Sequence, residues 1–316
     1  MAEKKIEFES ERQFHKLYGE KPENLGEVER LLSVRLVARG DSLTMEGSPA
    51  DLERCGELFS LLLKGREQGF VSGKSDFSRF LEKVSQGKSG ELHDLLDNPL
   101  ILKIRRKSVV PRNLGQRRFL DLILRNDMVF GIGPAGTGKN FLAMIAALHA
   151  LLEGEVQRIV LARPAVEAGE ALGFLPGDLE EKLLPYLRPL YDAMDEVLGP
   201  VEARKLVETG VVEIAPLAYM RGRTLSKSFA LLDEAQNATR SQMMMFLTRL
   251  GEGSKMVVTG DVTQIDLPSG GASGLVHARK ALSDIDGLHF HEFDHDDVVR
   301  HPLVSAIISA YQEPHS

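Results

Sequence analysis

The segment that most constrains this chain is MVFGI (128–132), followed by GPAGTGKN (133–140) and FLAMIAALHALL (141–152). A short apolar run bounded by glycine reads as a buried strand, and the longer apolar tract reads as a helix. A glycine-rich turn between the two aims successive backbone N–H groups at one point. The positive end of the helix points there as well, which makes a seat for phosphate. Gly133, Gly138 and Lys139 keep the spacing G-x-x-x-x-G-K-[ST], and Asn140 breaks it where a hydroxyl that holds Mg²⁺ is expected. The expected polyphosphate site is therefore Gly133, Pro134, Ala135, Gly136, Thr137, Gly138, Lys139 and Asn140, with Lys139 bridging the outer phosphates. Asn140 can ligate Mg²⁺ through its amide carbonyl, at a geometric cost, because the ion demands tight octahedral coordination. The expectation is a nucleotide site with intact binding and weakened hydrolysis.

SFALLDEAQN (228–237) supplies the second half of such a site. An apolar strand ending in Asp233-Glu234 delivers two carboxylates to the C-terminal edge of a sheet, where open α/β folds keep their ligands. Asp233 suits a Mg²⁺ ligand and Glu234 suits the polarisation of an attacking water. RIVLAR (158–163) and VVEIAP (211–216) lie between the two motifs and KMVVTGD (255–261) follows them, with helical tracts interposed. Strands alternating with helices imply a parallel sheet covered on both faces, with room for a strand between the two motif strands. Gln264 is placed either to sense the outermost phosphate or to serve as a turn amide.

The first seventy residues read as strand, helix, helix, strand, strand, helix. Asn24, with Glu27 three residues on, is an expected cap for the second helix. Gly40-Asp41 is an expected hairpin turn, and Ser48-Pro49 an expected cap and first position of the third helix. That order resembles a KH domain, whose clamp for nucleic-acid phosphates is a GXXG loop between its first two helices. Here the position is GEKPEN (19–24), with one glycine and two acids, so both an RNA-binding and a packing role stand.

Residues Leu102–Arg118 carry seven basic residues and no acid in a chain of net charge −7. This run is either a solvated linker or a contact to a nucleic-acid backbone. The expected divisions are a small domain over 1–72, a helical and basic linker over 73–118, and the α/β domain over 119–316. One cysteine, Cys55, excludes an internal disulfide and fits a reducing cytosol. No apolar run is long enough to span a bilayer, and the charged start is no secretory signal, so the expected location is the cytoplasm. His289 and His291, with His295 and His301 nearby, are weak candidates for zinc, since no cysteine joins them. Met243-Met244-Met245 reads as core and interface packing.

The run from GPAGTGK through RPAVEAGEALGFLPGD, APLAYMRGRTL, LLDEAQNAT, TGDVTQIDLP and DVVRHPLV resembles the PhoH-like family, over about residues 100–316. The resemblance implies a cytoplasmic ATPase with one RecA-like P-loop core, preceded by a KH-like α+β domain and linked to RNA metabolism. It implies ATP in the loop, Gln116 as adenine reader and Arg300 as a finger. It also implies a ring, expected to hold six subunits, and in bacteria a connection to an rRNA-maturation endonuclease. Independently, a motor of this kind needs an arginine facing the outermost phosphate, and the chain has no room for a second core. Arg300 is thus expected to act on a neighbour's nucleotide across a heterologous interface. By the same resemblance Arg163, Glu167, Glu170, Tyr219, Arg221 and Arg223 lie either along a single-stranded RNA path or at a subunit interface.

Two functions of different class follow. One is an RNA-remodelling, helicase-like ATPase; the other is a nucleotide-gated scaffold that assembles with the nuclease. A small-molecule kinase shares the loop but lacks an acceptor-site signature.

Overall fold

A computed structural model describes residues 2–19, 21–164, 179–267, 272–299, 303, 304 and 307. The chain divides into two compact units, Met1–Leu100 with Val110–Leu114, and Ile101–Val109 with Gly115–Ser316.

The first unit runs β1 (Ala2–Glu7), α1 (Glu11–Leu17), α2 (Pro22–Leu32), β2 (Arg35–Arg39), β3 (Ser42–Gly47) and α3 (Pro49–Glu67). Helices α4 (Lys74–Ser85) and α5 (Ser89–Asp97) follow. The strands form an antiparallel sheet in the order β1-β3-β2, with Arg39 opposite Ser42 across the Gly40-Asp41 turn. Ser48 caps α3 by accepting from the Asp51 amide, and Pro49 takes a first-turn position where a missing N–H costs nothing. The cap of α2 differs from the expected one. Pro22 starts the helix two residues ahead of Asn24, whose buried amide instead donates to the Tyr18 carbonyl at 2.6 Å. The apolar faces of α4 and α5, through Phe77, Phe80, Leu81, Leu92, Leu95 and Leu96, join the core built on Phe14, Leu43 and Phe59.

In the second unit a hairpin, β4 (Leu102–Ile104) and β5 (Lys107–Val109), precedes α6 (Leu114–Arg125). There follow β6 (Met128–Ile132), α7 (Lys139–Leu152), β7 (Arg158–Arg163), α8 (Leu179–Leu198), α9 (Pro200–Glu208) and β8 (Val212–Pro216). The last elements are β9 (Ser228–Leu232), α10 (Arg240–Leu247), β10 (Lys255–Gly260), α11 (Gly274–Ala281) and β11 (Leu288–Glu292). Among the described residues six strands form one sheet, in the order β11-β6-β10-β9-β7-β8, with every pairing parallel. Helices flank it, and the central strands are buried from Ser228 to Leu232 and from Met256 to Gly260, as the apolar runs FALL and MVV require. A strand does sit between β6 and β9, and it is β10, drawn from downstream. The two strands that intervene in sequence, β7 and β8, lie beyond β9.

Part of the basic run is structural. Leu102 and Ile104 are buried, the Arg105 guanidinium donates to the Glu202 carboxylate at 2.8 and 3.0 Å, and the Lys107 amine donates to the Glu196 carbonyl. No helix among the described residues is long and apolar enough to cross a membrane.

Candidate nucleotide site

The register of three strands brings the two motifs to one edge. Thr259 of β10 lies opposite Gly131 of β6, and Val258 lies opposite Leu232 of β9. Asp233, the next residue after Leu232, therefore emerges beside Thr259, on the same edge as the loop that leaves Ile132. The Gly133 amide donates to the Gly260 carbonyl at 3.0 Å and fastens the loop's first residue to β10.

The loop curls around its own Pro134 carbonyl, which accepts from the Thr137 hydroxyl at 3.0 Å and from the Lys139 amine at 3.2 Å. Lys139 is only 8% exposed, so its charge is held inside the turn. Gly138 precedes α7 in the left-handed region, at φ 80°, which a side chain would disfavour. Gln116 of α6 reaches the loop as well; its amide, buried with the rest of the side chain, donates to the Thr137 carbonyl at 2.9 Å.

Across β10, Asp233 is almost wholly buried. Its Oδ1 accepts from the Glu234 amide at 2.8 Å and from the Thr259 hydroxyl at 3.1 Å. Burial, and then the neighbouring Glu234 charge, push its carboxyl above the usual range, while Arg163 opposes them. Arg163, at the end of β7, spans the pair, 3.9 Å from the Asp233 carboxylate and 3.6 Å from that of Glu234. Glu234 sits in the left-handed region at φ 51°, a conformation that costs a non-glycine residue about 1 kcal/mol and accumulates at functional sites. Gln236 holds it there: the Gln236 amide donates to Glu234 at 2.6 Å, and its carbonyl accepts from the Asp261 amide at 3.0 Å. Asp261 in turn accepts from the Gln264 side chain at 2.9 Å, and Gln264 is exposed.

Asn140 bears on Mg²⁺. Its carbonyl oxygen is buried with no hydrogen-bond partner, an arrangement that leaves a polar group without its water and is uncommon in folded proteins. A hard cation is a fitting partner for that oxygen, and a cation beside the buried Asp233 carboxyl, raised by desolvation, would favour its charged form. The residues present fit the ion.

Four further contacts come from a segment that the motif spacing did not single out for its backbone. The Phe293 amide donates to the Ile132 carbonyl at 2.8 Å, and a side chain on Gly133 would meet the Phe293 Cβ at 2.6 Å. The Asp297 carboxylate fills the space where a side chain on Gly115 would stand, one residue from Gln116. The Val299 amide donates to the Gly136 carbonyl at 2.9 Å. Residues 293–299 thus strap both ends of the site, the phosphate loop and the start of α6. The signal available in sequence was only the motif DVVRHPLV. Thr259, Gln236 and Asp261 were likewise missed, although Gln236 lies two residues from Glu234 in DEAQN.

Arg300, Glu167, Glu170 and His301 lie outside the described residues. Tyr219 and Arg221 are exposed. Arg223 makes a bidentate pair with Glu213, at 2.5 and 2.7 Å, and holds that carboxyl below its usual range. Of the three methionines, Met243 is core and Met244 is exposed. Among the described residues no three metal-ligating side chains gather. The His291 ring packs 4.5 Å from Phe293 and 5.8 Å from Phe119, and its burial lowers its basicity.

The family model "PhoH-like protein" matches residues 108–312. A PhoH-like protein of Bacillus subtilis is 47% identical, over 94% of this chain and 93% of its own length. One from Mycobacterium tuberculosis is 52% identical, over 95% of this chain and 86% of its own. Among solved structures, the Pif1 helicase from Candida albicans aligns with 57% of this chain and 40% of its own, at 14% identity and a TM-score of 0.31, a similarity too low to bear on function.

Proposed function

The chain belongs to the PhoH-like protein family, and from that premise we propose that it is an ATP hydrolase that remodels RNA. The observation that carries the hydrolase reading is the convergence of Lys139, Asp233, Glu234 and Arg163 at one sheet edge. In the proposed reaction water attacks the γ-phosphorus as the bond to the β–γ bridging oxygen breaks. The water's proton passes by way of the Glu234 carboxylate to phosphate, giving ADP and inorganic phosphate. Lys139 and Arg163 offset the charge that builds on the phosphoryl oxygens. Gln236 aims Glu234, and Gln264, tied to Asp261, is the sensor of the γ-phosphate. Asn140 and Asp233 would hold Mg²⁺, which supplies charge neutralisation at the outer phosphates. Gln116, on α6 and bonded to the loop through its amide, is the proposed reader of the base.

Arg300 remains the proposed finger, with a change of target. Its covalent neighbour Val299 is bonded to this chain's own phosphate loop, which favours the chain's own nucleotide over a neighbour's. A ring of about six subunits, single-stranded RNA along Tyr219 and Arg221, a KH-like role for the first unit, and a cytoplasmic rRNA-maturation endonuclease as partner complete the proposal. The scaffold reading is the alternative, favoured by Asn140 in the loop and by the acids of GEKPEN.

The test is ATP turnover with and without single-stranded RNA, in wild type and in Glu234→Gln. Turnover stimulated by RNA and abolished in the variant is expected. Binding without any turnover, unaffected by RNA, would leave the scaffold; turnover that survives Glu234→Gln would overturn the mechanism.

A further inference from the structure

Both carboxylate oxygens of Glu234 already have partners. Oε2 accepts from the Gln236 amide at 2.6 Å, and Oε1 faces the Arg163 guanidinium at 3.6 Å. Strand register brings that guanidinium there. Ala162 of β7 lies opposite Leu232 of β9, so Arg163 and Asp233 leave their strands side by side. Asp233 Oδ1 takes the Glu234 amide and the Thr259 hydroxyl, and Oδ2 is left to Arg163, 3.9 Å away.

One cation therefore serves two acids, of which Asp233 is almost wholly buried. Two neighbouring carboxylates shielded from water repel each other, and a positive charge about 4 Å away offsets much of that repulsion. The pairing is loose, because both ion-pair distances exceed 3.5 Å and neither is a short, fork-like contact. A divalent ion on Asp233 brings twice the charge and approaches an oxygen more closely than a guanidinium at 3.9 Å. It also repels the guanidinium as a like charge. Arg163 and such an ion compete for the same carboxylate.

We infer that Arg163 is a placeholder for the metal ion at the acid pair, and that its departure unmasks Glu234. The inference rests on the nucleotide site proposed above and adds a switch to it. When the ion settles on Asp233, Arg163 leaves, Oε1 of Glu234 becomes available to water, and the guanidinium turns to the phosphoryl oxygens. Those oxygens supply the negative charge that Arg163 gives up at the acids. The metal alone therefore competes poorly with Arg163, and the metal with nucleotide competes well. Arg163 is in this way a positioning residue for Glu234 until substrate is in place.

The experiment uses the full chain and Mn²⁺ alone, a hard ion suited to carboxylate and carbonyl ligands, with free Mn²⁺ read by electron paramagnetic resonance. Arg163→Met removes the competing charge, and Arg163→Lys keeps a charge but not the fork that spans two acids. Arg163→Met should hold Mn²⁺ about tenfold more tightly than wild type, with Arg163→Lys between the two. In EDTA, Arg163→Met should melt below wild type, and it should gain more from Mn²⁺. Adding Asp233→Asn to Arg163→Met should cancel the gain in affinity. Equal or weaker Mn²⁺ binding by Arg163→Met, or a gain that survives Asp233→Asn, overturns the placeholder. If Arg163→Met does not fold, Arg163→Lys decides, and an affinity no tighter than wild type overturns it. None of these arms contains nucleotide, so they leave the hydrolase reading standing; that reading falls only on turnover that survives Glu234→Gln.

Discussion

Asn140→Ala is the substitution whose outcome the structure constrains most. The Asn140 carbonyl oxygen is buried without a partner, and leaving such a group unsatisfied costs about 1–3 kcal/mol. Alanine removes that oxygen and has the higher helix propensity at the second position of α7, worth up to about 0.7 kcal/mol. Against this stands the lost contact of a half-buried side chain, about 1 kcal/mol. The ligand-free variant should therefore be the more stable by about 1 kcal/mol, a rise in Tm of about 2–4 °C for a unit of this size. Mg·nucleotide should reverse the order. If the oxygen meets the cation, its removal forfeits about 1.5–3 kcal/mol, and Kd for a non-hydrolysable Mg·ATP analogue rises about 10- to 100-fold. Without Mg²⁺ the two proteins should bind the analogue alike. Thermal melts of the ligand-free proteins and calorimetric titrations with and without Mg²⁺ give both halves. A ligand-free variant that melts lower than wild type, or an unchanged Kd for the Mg·analogue, would refute the reasoning.

Asn140→Thr should raise the turnover number, because a hydroxyl is the more compact ligand; an unchanged rate at saturating Mg·ATP counts against Asn140 as a handicap. Asp233 has a folded pKa raised by burial and by Glu234, so its own contribution to stability is fullest in acid, below the unfolded value, and is lost as pH climbs through the folded one. Asp233→Asn, uncharged at every pH, should resist urea better than wild type at pH 7.5, with the gap closing towards pH 4, and should lack turnover; equal midpoints at pH 7.5 would count against the burial cost. Val299→Pro deletes the amide that donates to Gly136 and should raise KM for ATP several-fold with little change in Tm; an unaltered KM would remove the strap from the site. Mixing Lys139→Ala with Arg300→Ala chains should restore no turnover if Arg300 serves its own subunit, whereas recovery would return the finger to a neighbour.

The loop, the acid pair and the alternation of strands with helices were legible because each is written within a few residues: glycine spacing, an apolar run with its terminal carboxylates, and hydrophobic periods. The cap at Ser48 and the turn at Gly40 were legible for the same reason. Asn24 misled because proline two residues earlier fixed the helix start and freed the amide for Tyr18. The pairing of Arg223 with Glu213 on β8 was not legible, because it joins a loop to a strand ten residues away.

What the sequence determined by itself is the make-up of the proposed nucleotide pocket, since backbone N–H groups, a lysine and two acids follow from local pattern alone. What only the tertiary structure decided is how those parts are arranged and held. It chose β10 as the strand between the motifs, set Arg163 over both acids, and brought Phe293, Asp297 and Val299 against Gly133, Gly115 and Gly136. These contacts join residues far apart along the chain, and their energy depends on strand order and register, which no local period encodes.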